Sequence, residues 1–171
     1  MYYWWQGDFT TVKPVLSKTA RKRLRIMADV VRDNYQYFDI NEWAMSNCRT
    51  VGCIAGLAVV HFAEDEWDTY EAGLKALATK PGESRRSLFT QTHYASGSVI
   101  RERARELIEL TETQAGNVFF PDNWPDEFEN GINRAKTQKA AARFAAKYLT
   151  AIADGKVDLN IADKAMVISA R

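Results

Sequence analysis

Between Ser17 and Asp33 the apolar residues Ala20, Leu24, Met27 and Val31 recur at helical spacing, and Lys18, Lys22, Arg25, Asp29 and Arg32 fall on the other side. The pattern predicts an amphipathic helix with Ser17 as its N-cap, followed by a turn at Asn34. The same period returns from Val99 to Glu109 through Ile100, Ala104, Leu107 and Ile108. Thr111 and Gln114 then match a capping box that opens a short helix, TETQAGNVFF, stopped by Pro121 and Pro125. From Thr137 to Ala153 a stripe of Ala141, Phe144, Ala145, Tyr148 and Ile152 predicts a long helix with Gly155 as its C-terminal stop.

The remaining segments are less regular. A helix from about Gly52 to Phe62 carries the small residues Gly52, Ala55, Gly56 and Ala58, and Tyr70, Leu74 and Leu77 suggest one more short helix. Glycine inside a helix costs about 1 kcal/mol relative to alanine, so the first of these helices needs a packing reason. Val157, Leu159 and Ile161 alternate, which fits either a short strand or a further helix. Six or seven helices in one layer-packed domain result: a mainly α fold, residues 1–171 forming a single compact multi-helix domain, with at most a minor short strand.

Two stretches stand outside this period. The aromatic N-terminal arm, residues 1–10, begins MYYWWQGDF, too much apolar ring surface to leave in water without a partner surface. Lys80 to Ser98 has no usable period and reads as a long loop, part of an insertion covering about residues 64–98. Loops of this length are more often functional lids or disordered segments than plain connectors.

Composition narrows the classes of function. The chain has 171 residues, 46% of them hydrophobic, which is enough for one well-buried core. Lysine and arginine number 23 against 22 acidic residues, so net charge gives no long-range attraction to nucleic acid or an acidic membrane surface. No apolar run is long enough to span a bilayer and no charged-then-apolar leader opens the chain, so a cytoplasmic protein without a membrane partner is expected. Cys48 and Cys53 would close only a tiny loop, and free thiols are the expectation in a reducing compartment.

The richest segment chemically is WAMSNCRTVGCIAGLA, Trp43 to Ala58. Thr50, Gly52 and Cys53 at a helix start would offer unpaired N–H groups and the positive end of the helix dipole to an anion. Arg49 adds a charged fork, and Trp43, Trp67, Phe89 or Tyr94 a stacking face. The insertion supplies Arg85, Arg86 and His93 as well. The blander reading is that Thr50 caps the helix and the glycines serve packing.

The same region and its neighbours suggest other chemistries. Cys53 at a helix start is a candidate nucleophile, with His93 as its base, because His61 lies eight helical positions, ~12 Å, further on. Zinc would need Cys48, Cys53, His61 and His93, but the second close pair is missing, so no metal and no cofactor are expected. Glu64, Asp65, Glu66 and Asp68 around Trp67 read as an acidic helix end rather than a Mg²⁺ site. Arg101, Arg103 and Arg105, mixed with Glu102 and Glu106, read as a solvated face with internal ion pairs.

Several of these segments occur in a fixed order: Phe38, Asp39 and Trp43; then C-x-T-x-x-C-I-A-G-x-A, here Cys48, Thr50, Cys53 to Gly56 and Ala58; then Ala104, Glu106, Leu107, Leu110, Thr111, Gln114 and Ala115; then Trp124 and Pro125. Over roughly Ala20 to Gly155 this resembles a group of small uncharacterised bacterial and bacteriophage proteins, from which it departs at Arg49, at Leu57 where tryptophan is expected, and in the 64–98 insertion. The resemblance brings no activity with it, and in a phage setting it implies capture of a host signalling nucleotide. The reading is therefore a non-enzymatic binding protein for a small anionic, nucleotide-like ligand, held by Trp43, Arg49, Thr50, Gly52, Cys53, Arg85, Arg86, Phe89, His93 and Tyr94. The alternatives are a cysteine-dependent hydrolase or transferase using Cys53 and His93, and a protein-interaction module, homodimeric through its aromatic N-terminus.

Overall fold

The computed structural model describes residues 15–39, 53–63, 100–162 and 164–168. Among them are six α-helices: α1 (Lys18–Asp33), α2 (Ile54–Phe62), α3 (residues 100–108), α4 (Glu112–Phe119), α5 (Asp126–Asn133) and α6 (Gln138–Ala153). A short antiparallel ladder, β1 (Val157–Asp158) with β2 (Met166–Val167), completes a mainly helical fold; Val157 faces Val167 and Asp158 faces Met166. No described helix is long and apolar enough to cross a membrane.

The helix ends form where the local chemistry satisfies orphan backbone groups. The Ser17 hydroxyl accepts from the Ala20 N–H at 2.9 Å, and Asn34 ends α1. Thr111 and Gln114 make both arms of the expected capping box, at 3.2 and 3.0 Å. Helix α6 ends in a Schellman turn: Gly155 adopts φ +75°, its N–H donates to the Ile152 carbonyl, and Lys156 N–H donates to that of Ala151. Helix α3 ends in the same way, with Glu109 at φ 64° in the place glycine usually takes.

Helices α1 and α6 pack extensively against each other. Leu24, Met27 and Val31 of α1 are fully buried, as are Ala145, Tyr148, Leu149 and Ile152 of α6. The stripe on α6 is therefore rotated from the expected one: Ala141 and Phe144 are only partly buried, while Ala142, Ala146 and Leu149 are inside. Alanines are nearly neutral as markers of a face, and the close approach of α1 selects which of them are covered. Helix α5 was not expected. Pro125 precedes it and Asp126, Glu127 and Glu129 crowd its first turn, suiting the positive end of the dipole, but only Ile132 is buried, so the apolar signal is thin.

The C-terminal segment is strapped to the body by polar contacts. Asn117 of α4, 1% exposed, donates from Nδ2 to the carbonyls of Leu159 and Ile161, both at 2.8 Å. The Tyr148 hydroxyl donates to the Asn117 carbonyl at 2.6 Å, and Trp124 Nε1 donates to Val118 at 3.2 Å. Further along, Ala165 N–H donates to the Asn123 carbonyl, and Lys164 reaches Asp126 and Glu129 at 2.7 and 2.6 Å. Val157, Leu159 and Ala165 fill the core beneath. Alternation at 157–161 thus resolves as a short strand leading into an anchored strap.

Candidate functional site

Cys53 is the one residue of the sequence-derived site that lies among the described residues. It is itself the N-cap of α2, in extended conformation (φ −68°, ψ −179°), so the helix starts at Ile54 and not at about Gly52. Its side chain makes no capping hydrogen bond. Helix α2 has almost no polar face: Cys53 is 3% exposed, and Ile54 to Val59 are buried without a break. The small residues Ala55, Gly56 and Ala58 are buried within this run, and the cap is Cys53 rather than the Thr50 of the blander expectation.

Burial also sets the chemistry of the thiol. Desolvation pushes the Cys53 thiol up from 9.0 to about 11, against a smaller opposite pull from the amides of Gly56 and Ala55; Asp39 adds a like-charge push upward. Because the thiolate is the reactive form, this is the opposite of the lowered value a cysteine nucleophile needs. His61, in the last turn of the same helix, is exposed and packs edge-on against Phe62 at 4.9 Å. Among the described residues no three His, Cys, Asp or Glu side chains gather as a metal-holding group.

Trp43, Cys48, Arg49, Thr50, Gly52, Trp67, Arg85, Arg86, Phe89, His93 and Tyr94 lie outside the described residues, as do the aromatic arm, the Tyr70 to Leu77 helix and the 64–98 insertion. The ion pairs expected on α3 are present: Arg103 reaches Glu106 at 2.8 Å, and Arg105 pairs with Glu102. Arg101 extends instead to Glu112 on α4, at 2.8 Å.

A different place offers open space. A groove of about 210 Å³ runs between the start of α1, the end of α6 and the strap. Its apolar wall includes Val15, Ile152, Leu159 and Ile168, and its polar wall consists of Arg21, Gln114, Asp158 and Asn160. The polar wall is internally tied. Gln114 Nε2 donates to Asn160 Oδ1 at 3.1 Å, and both the backbone N–H and Nδ2 of Asn160 donate to Asp158 Oδ1, at 2.9 and 3.2 Å. Arg21 donates to the Ala153 carbonyl at 3.3 Å, which places its guanidinium beside the negative end of α6 and over Gly155.

Neighbouring charges complete the corner. Arg25 bonds the Asp154 carboxylate at 3.1 Å and holds it below the usual carboxylate range, with Lys156 assisting. One rim of the groove is apolar and exposed: Val15 is 77% and Ile168 53% accessible, continuing into Met166 and Val167. Sequence reasoning missed this site because its four polar residues come from distant parts of the chain brought together by the strap. The Asp158-x-Asn160 spacing, typical of a side chain folding back on its own backbone, was the one local signal available.

No family model, curated protein or solved structure matches the chain.

Proposed function

We propose that the protein is a non-enzymatic binding protein for a small anionic ligand. The observation that carries this reading is the Arg21 groove, where a half-buried guanidinium stands against a hydrogen-bonded polar wall and an apolar one. Concave sites lined in this way, largely apolar with a few fixed polar groups, are the usual form of small-ligand sites. Burial of Cys53 and the upward push on its thiol argue against the cysteine-dependent hydrolase or transferase. At about 210 Å³ the groove is smaller than the ~300–1,000 Å³ typical of drug-sized ligands.

Native mass spectrometry of the purified protein, followed by calorimetric titration with acetate, phosphate and nucleotides, tests the reading. A retained or titratable anion whose affinity falls in Arg21→Met is the expected result. Absence of binding by every anion, with Arg21→Met indistinguishable from wild type, would reject it.

A second reading, a homodimeric interaction module, has its own observation in the exposed apolar rim of Val15, Met166, Val167 and Ile168. Ile168 N–H donates to the Lys156 carbonyl, so the backbone groups of Val167 point away from β1 and, among the described residues, form an edge that a second copy could pair with about a two-fold axis. A net charge of +1 offers little self-repulsion. Sedimentation velocity across a concentration series should show a dimer that Ile168→Lys dissociates. A monomer at every concentration rules this second reading out.

A further inference from the structure

The 23 basic and 22 acidic residues of the whole chain nearly balance, but those around α6 do not. No acidic residue stands between Glu129 and Asp154, while Arg134, Lys136, Lys139, Arg143 and Lys147 are all exposed. Other cations are answered: Arg25 by Asp154, Arg32 by Asp29, Arg101 by Glu112 and Arg105 by Glu102. Among the described residues, no ion pair forms at the five around α6.

Lys139, Arg143 and Lys147 recur every four positions, so they form one row on the solvent face of α6, ~6 Å apart along its axis. That spacing is inside the ~8 Å screening length at physiological salt, so their fields add. Like charges four positions apart also weaken the helix that carries them, a cost that a bound polyanion removes. A row on the outside of a helix gives a small anion nothing to converge on. A polymer of phosphates can follow it, and the ~12 Å of row matches three to four nucleotides at ~3.4 Å per strand residue. Aromatic rings accompany the cations. The Tyr35–Tyr37 turn packs on α6 with Lys139 Nζ 5.3 Å from the Tyr35 ring centre and Tyr37 exposed beside it; Lys147 Nζ is 5.6 Å from the ring of half-buried Phe144. Cations interleaved with rings are what a single strand needs, its phosphates meeting charge while its bases stack. The large aliphatic side chains that would enter a membrane surface are exposed at the groove rim, at Val15 and Met166 to Ile168, and not along this row.

We propose that this face of α6 is a track for single-stranded nucleic acid: Arg134, Lys136, Lys139, Arg143 and Lys147 meet its phosphates, and its unstacked bases lie on the exposed Tyr37 ring. A duplex keeps its bases stacked inside and gains nothing from that ring. The track uses none of the residues of the Arg21 groove, so it stands or falls separately from the small-ligand reading.

Fluorescence anisotropy of the full chain with labelled oligothymidylate and oligouridylate, over a salt series, tests the proposal. Binding of either strand is expected, and their ratio reports whether DNA or RNA is favoured. Log affinity should fall with log salt at a slope of about −2 to −3.5, from ~0.7 per phosphate contact and three to five contacts. The triple variant Lys139→Ala, Arg143→Ala, Lys147→Ala should bind at least about tenfold more weakly, with a slope shallower by about 2. Alanine is the better helix former and the repulsion is gone, so its thermal unfolding should not fall, which separates lost binding from a lost fold. Tyr37→Ala should weaken both strands by about fivefold or more, the scale of one lost stack, and leave the slope unchanged. The proposal is overturned if neither strand binds, or if the triple variant or Tyr37→Ala binds as wild type does. Equal or tighter binding to a duplex, to polyglutamate or to phosphatidylserine vesicles overturns it as well.

Discussion

Replacing Asn117 by alanine should loosen the strap that forms one wall of the groove. Two donors are lost, each bond contributing about 1 kcal/mol net, and the Leu159 carbonyl is left in a buried position where an unmet acceptor costs a further ~1–3 kcal/mol. The Ile161 carbonyl is only partly buried, so water replaces that bond at little expense. Alanine returns roughly 0.5 kcal/mol as a better helix former. The sum is a destabilisation of about 2–4 kcal/mol, a large share of the ~5–15 kcal/mol that holds a typical domain together. Urea unfolding followed by circular dichroism measures it, with an unchanged slope confirming that the native state is still as compact. Thermal unfolding should fall by roughly 5–15 °C for a chain of this length. A change below about 1 kcal/mol would mean that the buried Val157, Leu159 and Ala165 and the remaining polar contacts hold the strap, and that Asn117 is dispensable.

Cys53 gives a pH prediction whose sign follows from its burial. The unfolded thiol titrates near 9.0 and the folded one near 11, so the folded state binds the proton more tightly; the associated stability is complete below pH 9 and is lost as pH rises toward 11. Between pH 8 and pH 10 the urea midpoint of wild type should therefore fall more than that of Cys53→Ala, and equal falls would contradict the burial argument. Gly131→Ala should cost about 1–3 kcal/mol, because a Cβ there would lie 2.4 to 2.9 Å from the Phe144 ring. Gly155→Ala should cost roughly 1 kcal/mol through its positive φ alone, which thermal unfolding of the two variants side by side would separate.

Local chemistry was enough to place much of the helical framework. Ser17, Asn34, Thr111 with Gln114, and Gly155 mark helix ends because each satisfies backbone groups within a few residues, independent of the rest of the chain. The periodic faces of α1 and α3 were readable for a similar reason: charged and aliphatic residues alternate sharply there. The α6 face was blurred by its alanines, and α5 was invisible because an eight-residue helix with one buried side chain leaves almost no period.

Function depended on distances that no spacing encodes. The same cysteine that looked reactive at a helix start is buried with the first turns of α2, and desolvation outweighs the pull of nearby amides and raises its thiol. Arg21, Gln114, Asp158 and Asn160 are separated by up to 139 positions, and only the return of the strap across α1, α4 and α6 makes them one wall. The sequence by itself determined the start of α1, α4 and α6 and the ends of α1 and α6, because capping and amphipathic period are short-range. The tertiary structure decided which side chains meet water and which meet each other, because burial and charge pairing are properties of the assembled surface.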